Sequence, residues 1–79
     1  MLYADGNEVK IGDVVAIDTK YRGVVVASIE TGEYSDGYSE KQWGYLGSGI
    51  LVNTDFGGLV HYPSGHTDQM ALVHRRDDP

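Results

Sequence analysis

A chain of 79 residues makes one domain and leaves no room for a second. It has no cysteine, so disulfides and thiolate metal sites are excluded, and twelve Asp and Glu against six Lys and Arg leave a net charge of −6. That balance disfavours non-specific binding to nucleic acid or anionic lipid, and it favours solubility and basic partners.

The opening MLYADGNEVKI reads as a small hairpin, because Asp5-Gly6 is a tight-turn pair between two short extended runs. It lacks the basic and apolar regions of a signal peptide, so the chain reads as a complete, soluble, cytoplasmic product. Gly12-Asp13 marks a second turn. VVAID (14–18) and GVVVASIE (23–30) are β-branched runs, too short and too branched to prefer helix.

Residues 31–49 follow no clean period. They hold Tyr34, Tyr38, Trp43 and Tyr45, half of the eight aromatic residues (six Tyr, one Trp, one Phe), interleaved with Glu33, Asp36 and Glu40. Within them SEKQWGYL suits a single helical turn, with Ser39 as N-cap and Gln42 three residues on. GILVNTD (49–55) and GLVHY (58–62) flank a Phe56-Gly57 turn, and QMALVHR (69–75) is a final strand. Residues 76–79 are expected to fray.

Five short strands joined by tight turns hide their edges best by bending and closing on themselves. The eleven glycines suit the kinks this requires. The expectation is therefore one all-β barrel over residues 1–75, with an N-terminal hairpin segment and at most one short helical turn. Alternation places Val15 and Ile17 inside. It leaves two choices for the second strand: Val24 with Val26, or Val25 with Ala27 and Ile29. Leu51, Leu59, Met70 and Leu72 complete the core, with Phe56 as a further candidate.

Residues 9–29, VKIGDVVAIDTKYRGVVVASI, resemble the KOW pattern of SH3-like barrels, with Gly12, Asp13, Val15, Gly23 and Val25 at its characteristic places. The resemblance implies a five-stranded SH3-like barrel and binding of RNA or protein, usually through basic loops. The corresponding loops here hold Asp18, Lys20 and Arg22 in an acidic chain. GEYS, WGYL and GLVHY resemble small bacterial proteins without a settled function. Some small acidic barrels of that kind are immunity proteins against toxins, an analogy at the level of fold.

Three constellations bear on chemistry. His61, His66 and Asp68 could hold zinc as N and O ligands, but their spacing fits no known zinc motif, and surface histidines flanking a turn are the favoured reading. Ser64 precedes Gly65 and His66 without a nucleophile elbow, and GYLGSG lacks the Lys-Ser/Thr of a phosphate loop. No enzyme activity and no cofactor are therefore expected.

The aromatic stretch is the remaining candidate. Trp43 and Tyr45 are expected to plug the open end of the barrel. Glu33, Tyr34, Asp36, Tyr38 and Glu40 are expected to face a protein with a basic surface, since Tyr is enriched at binding hot spots. The expected role is a non-enzymatic, acidic protein-binding module, an antagonist of a toxin or enzyme. A KOW-like nucleic-acid-binding module is the first alternative, and a small-ligand or metal binder the second. The oligomeric state is left open.

Overall fold

The structure is a computed structural model that describes residues 2–3, 5–18, 20–63 and 70–75. It is an all-β domain built on one antiparallel sheet of six strands: β1 (Val14–Ile17), β2 (Tyr21–Ser28), β3 (Glu33–Tyr34), β4 (Ile50–Thr54), β5 (Gly58–Tyr62) and β6 (Met70–His74). One helical turn, α1 (Glu40–Trp43), runs into a 3-10 turn at Gly44–Leu46. No helix among the described residues is long and apolar enough to cross a membrane.

The strands run in the order β5-β4-β2-β1-β6, with β3 paired to β2 beside this path. The count exceeds the expected five because Glu33–Tyr34 forms its own short strand. The first long strand therefore pairs with the last, which removes one edge of β1 from solvent. The N-terminal hairpin is minimal. Leu2 and Glu8 make a single antiparallel bridge, and the Tyr3 amide donates to the Asn7 carbonyl at 2.8 Å.

One face of the sheet buries Val15, Ile17, Val25, Ile50, Val52 and Met70, with Tyr62 and Leu72 packed against them. Among the described residues outside the strands, Tyr3 and Val9 contribute buried side chains to this cluster.

Register explains why neither alternation choice for β2 holds. Val25 pairs with Val52, but Ala27 pairs with Leu51, so Val26 is an extra residue in a bulge. One inserted residue reverses which face later side chains occupy. Val25 therefore lies in the inner cluster, while Val26, Ala27 and Ile29 join Leu51 on the other side of the sheet. Val24 is 40% exposed. Phe56 is not a core residue: it sits in the β4–β5 turn, 51% exposed, with its ring centroid 4.7 Å from that of Tyr21.

Candidate functional site

The stretch between β2 and β4 folds back on the outer face of those strands. Tyr34 pairs with Ala27 and Glu33 with Ser28. The amide and hydroxyl of Ser35 both donate to the Val26 carbonyl, at 3.0 and 2.7 Å. The helical turn starts as expected: Ser39 Oγ accepts from the Gln42 amide at 3.2 Å. Its last turn ends at Gly47, and Gly49 at φ +87° delivers the chain into β4.

This segment covers the second apolar cluster of Val26, Ala27, Ile29 and Leu51. Tyr34, Tyr38, Trp43, Leu46 and Leu59 pack on it, each half-buried. That corrects two expectations. Tyr34 and Tyr38 are not fully exposed contact residues, because the bulge in β2 gives them an apolar floor. Tyr45 is no plug: at 78% exposure it points away from both clusters. Trp43 packs on the outer cluster, and its buried indole Nε1 has no hydrogen-bond partner among the described residues.

The edge of β2 next to β1 has two successive partners. The Lys10–Asp13 turn and β1 cover its first part, through Gly12 N–H to the Val25 carbonyl (2.8 Å) and Val25 N–H to the Asp13 carbonyl (3.0 Å). β3 and Ser35 cover the rest. Where these partners diverge, a cleft of about 580 Å³ opens. Lys10, Ile11, Asp13 and Arg75 line one side, and Glu33, Tyr34, Ser35 and Asp36 the other.

Asp13 anchors this cleft and is fully buried. Its Oδ2 accepts from the Tyr3 hydroxyl at 2.6 Å and from the Lys10 amide at 2.9 Å, and Arg75 approaches both carboxylate oxygens at 3.4 Å. Arg75 also donates to the Glu8 carbonyl at 3.0 Å. The N-terminal hairpin and the end of β6 are thus tied to one buried carboxylate. Burial, followed by the hydrogen bond to Asp13, pushes the Tyr3 phenol well above its ordinary range. It therefore remains a donor to Asp13 at neutral pH.

Of the five residues expected to meet a partner, Glu33, Tyr34 and Asp36 line this cleft, whereas Tyr38 and Glu40 do not. Glu33 and Asp36 are exposed, and among the described residues neither is in an ion pair. Sequence reasoning missed Asp13, Lys10 and Arg75 as site residues. The Gly-Asp turn signals a bend, but no local pattern points from residue 13 to an arginine 62 positions away.

The histidines do not assemble among the described residues. His61 on β5 is half-buried and lies 2.8 Å from the Ser48 carbonyl through Nε2. A carbonyl only accepts, so Nε2 carries the proton and is committed to holding the β4 entry turn. His66 and Asp68 lie outside the described residues. No group of three or more potential metal ligands occurs among the described residues.

A second exposed feature lies at the far end of β2. The Tyr21–Phe56 pair sits beside exposed Lys20 and Arg22, with Asp18 and Asp55 in the same two turns. No family model, curated protein or solved structure matches this chain, so the functional reading rests on the geometry of its own residues.

Proposed function

We propose that the protein is a non-enzymatic binding module. It docks the basic surface of a partner protein at the cleft beside Asp13 and acts as an antagonist by occluding that surface. The observation that carries this reading is the rim: Glu33 and Asp36, which flank the half-buried Tyr34 in the chain, stand exposed and without an ion-pair partner among the described residues. Uncompensated carboxylates steer a cationic partner, and a partly buried tyrosine adds contact area at low entropic cost. The buried Asp13 network holds one wall and the β2–β3 pairing holds the other, so the geometry is present before binding.

The test begins with affinity capture from source cells and proceeds with the purified partner. Reversing both rim charges (E33K with D36K) is expected to slow association about tenfold at low salt, and much less near 1 M salt, where the Debye length is about 3 Å. Unchanged association at low salt refutes the reading.

One observation favours a second reading, a KOW-like nucleic-acid module: the exposed Tyr21–Phe56 pair beside Lys20 and Arg22 could stack bases. Micromolar retention of mixed RNA or single-stranded DNA in a low-salt filter assay, lost in Phe56→Ala, would establish it in place of the first.

A further inference from the structure

The chain contains two Asp-Gly pairs, Asp5-Gly6 and Asp36-Gly37. We infer that Asp36-Gly37 is a site of spontaneous covalent modification, at which Asp36 closes to a succinimide and reopens as isoaspartate, while the fold protects Asp5-Gly6 from the same reaction. No enzyme or cofactor is needed. The backbone nitrogen of Gly37 attacks Cγ of the protonated Asp36 carboxyl. A C–N bond forms, and the hydroxyl and the amide proton leave as one water. Water then adds back to the five-membered ring. Attack at the Cγ carbonyl restores aspartate. Attack at the α-carbonyl leaves the chain running through the β-carboxyl and frees the α-carboxylate, so mass and charge are unchanged.

Ring closure requires a carboxyl free to turn, an amide N–H that is not held elsewhere, and a peptide plane able to rotate. Glycine after the aspartate opposes it least, having no side chain and a wide choice of φ. At Asp36-Gly37 all three conditions hold. Asp36 is exposed, and its carboxylate makes no hydrogen bond or ion pair among the described residues. The Gly37 amide donates to nothing among them. Residues 35–38 form a turn closed by the Tyr38 amide donating to the Ser35 carbonyl at 3.0 Å, with Gly37 at φ +87°. Rotating the Asp36–Gly37 peptide can leave that bond in place, because type I and type II turns share it and differ in the orientation of this peptide. A Cβ at Gly37 would meet nothing within 4 Å, so no neighbour blocks the swing.

Asp5-Gly6 is equally exposed, so exposure does not separate the two pairs. Their hydrogen bonds do. Asp5 Oδ1 accepts from the Asn7 amide at 3.0 Å and Oδ2 from Asn7 Nδ2 at 3.1 Å. The Gly6 amide donates to the carbonyl of the buried Tyr3 at 3.0 Å. Electrophile and nucleophile are both engaged here, and these bonds must be given up before the ring can close. At position 36 the product attaches its carboxylate directly to Cα, which draws the charge toward the backbone and away from the cleft that Asp36 lines.

The test holds the full chain at mildly acidic pH, warm but below its melting transition, and follows both sites by peptide mapping with mass spectrometry. Endoproteinase Asp-N, which cuts before aspartate and not before isoaspartate, and methyl transfer by an isoaspartate-specific methyltransferase identify the product. In the native protein Asp36 should convert at least about tenfold faster than Asp5, the factor expected when the slower site must first release its hydrogen bonds. In guanidinium chloride, where those bonds are absent, the two rates should converge. Asp36→Glu should abolish the product at this position and leave the slow rate at Asp5 unchanged, whereas Asn7→Ala should speed Asp5 alone. Equal native rates, or a faster rate at Asp5, overturn the inference. So does conversion at Asp36 that appears only in guanidinium chloride. Because the readout needs no partner, none of these outcomes bears on the docking reading.

Discussion

Tyr3→Phe isolates the contact that ties the N-terminal hairpin to the rest of the fold. The ring is almost fully buried, 3% exposed, and phenylalanine keeps it in place, so no cavity opens. What is lost is one short hydrogen bond, 2.6 Å, to a buried carboxylate. Hydrogen bonds to charged groups contribute about 1.5–3 kcal/mol. The full penalty of an unpaired buried charge, about 3–5 kcal/mol, does not apply, because the Lys10 amide and Arg75 still reach Asp13. The expected loss is therefore about 1.5–3 kcal/mol. A domain of 79 residues has a total stability of about 4–12 kcal/mol, so the variant should still fold.

Urea unfolding followed by circular dichroism reads this directly. With a slope of about 1 kcal/mol per molar urea, the midpoint should fall by about 1.5–3 M. The pH dependence gives a second readout. The folded-state pKa of Tyr3 is raised, so its contribution is complete below the ordinary tyrosine value of 10.0 and declines as pH rises above it. There the unfolded chain releases a proton that the native state retains, and stability falls by about 1.4 kcal/mol per pH unit for this group. Tyr62, also raised by burial, adds to the decline in both proteins. The Tyr3→Phe protein should therefore lose stability less steeply above pH 10 than the parent. A loss below about 0.5 kcal/mol at neutral pH, of the size expected for a surface substitution, or identical alkaline slopes would refute this account of the Asp13 network.

Gly49→Ala should be among the most damaging single changes. At φ +87° a new Cβ would overlap the Tyr62 carbonyl oxygen and sit 3.0 Å from Pro63 Cα, so strain of about 1–3 kcal/mol is joined by displacement of β5. Gly6→Ala, at φ +91° with nothing within 4 Å, should cost only about 1 kcal/mol, or about 4–8 °C in melting temperature, which a thermal scan separates from Gly49→Ala. In urea unfolding, Trp43→Ala should lose about 2 kcal/mol, roughly half of the 3–5 kcal/mol for a fully buried aromatic, and Tyr34→Ala about 1–2 kcal/mol. Tyr45→Ala should stay within about 0.5 kcal/mol, as expected of a side chain that is 78% exposed.

The strand content was legible because it depends on local chemistry. β-Branched runs bounded by turn residues mark β1, β4, β5 and β6 to within a residue or two. The Ser39 cap was legible for the same reason, since the cap and the amide it serves are three positions apart. The candidate site was only half legible. The acidic, tyrosine-bearing segment singled out Glu33, Tyr34 and Asp36, which the structure places in the lining of the cleft, but nothing nearby pointed to Lys10, Asp13 and Arg75 in the same lining.

By itself the sequence determined an all-β chain, the positions of its turns and the acidity of the segment between β2 and β4. Alternation, propensity and charge act over a few residues and need no knowledge of what lies across the sheet. The tertiary structure alone decided three things. The bulge at Val26 moved Val26, Ala27 and Ile29 to the outer face and so made a floor for Tyr34, Tyr38 and Trp43. The pairing of β1 with β6 brought Arg75 to Asp13. The meeting of the Lys10–Asp13 turn and β3 along one edge of β2 opened the cleft. Each of these depends on register. A slip of one residue costs no local propensity yet exchanges the two faces of a strand, so only the packing of the whole sheet selects among registers.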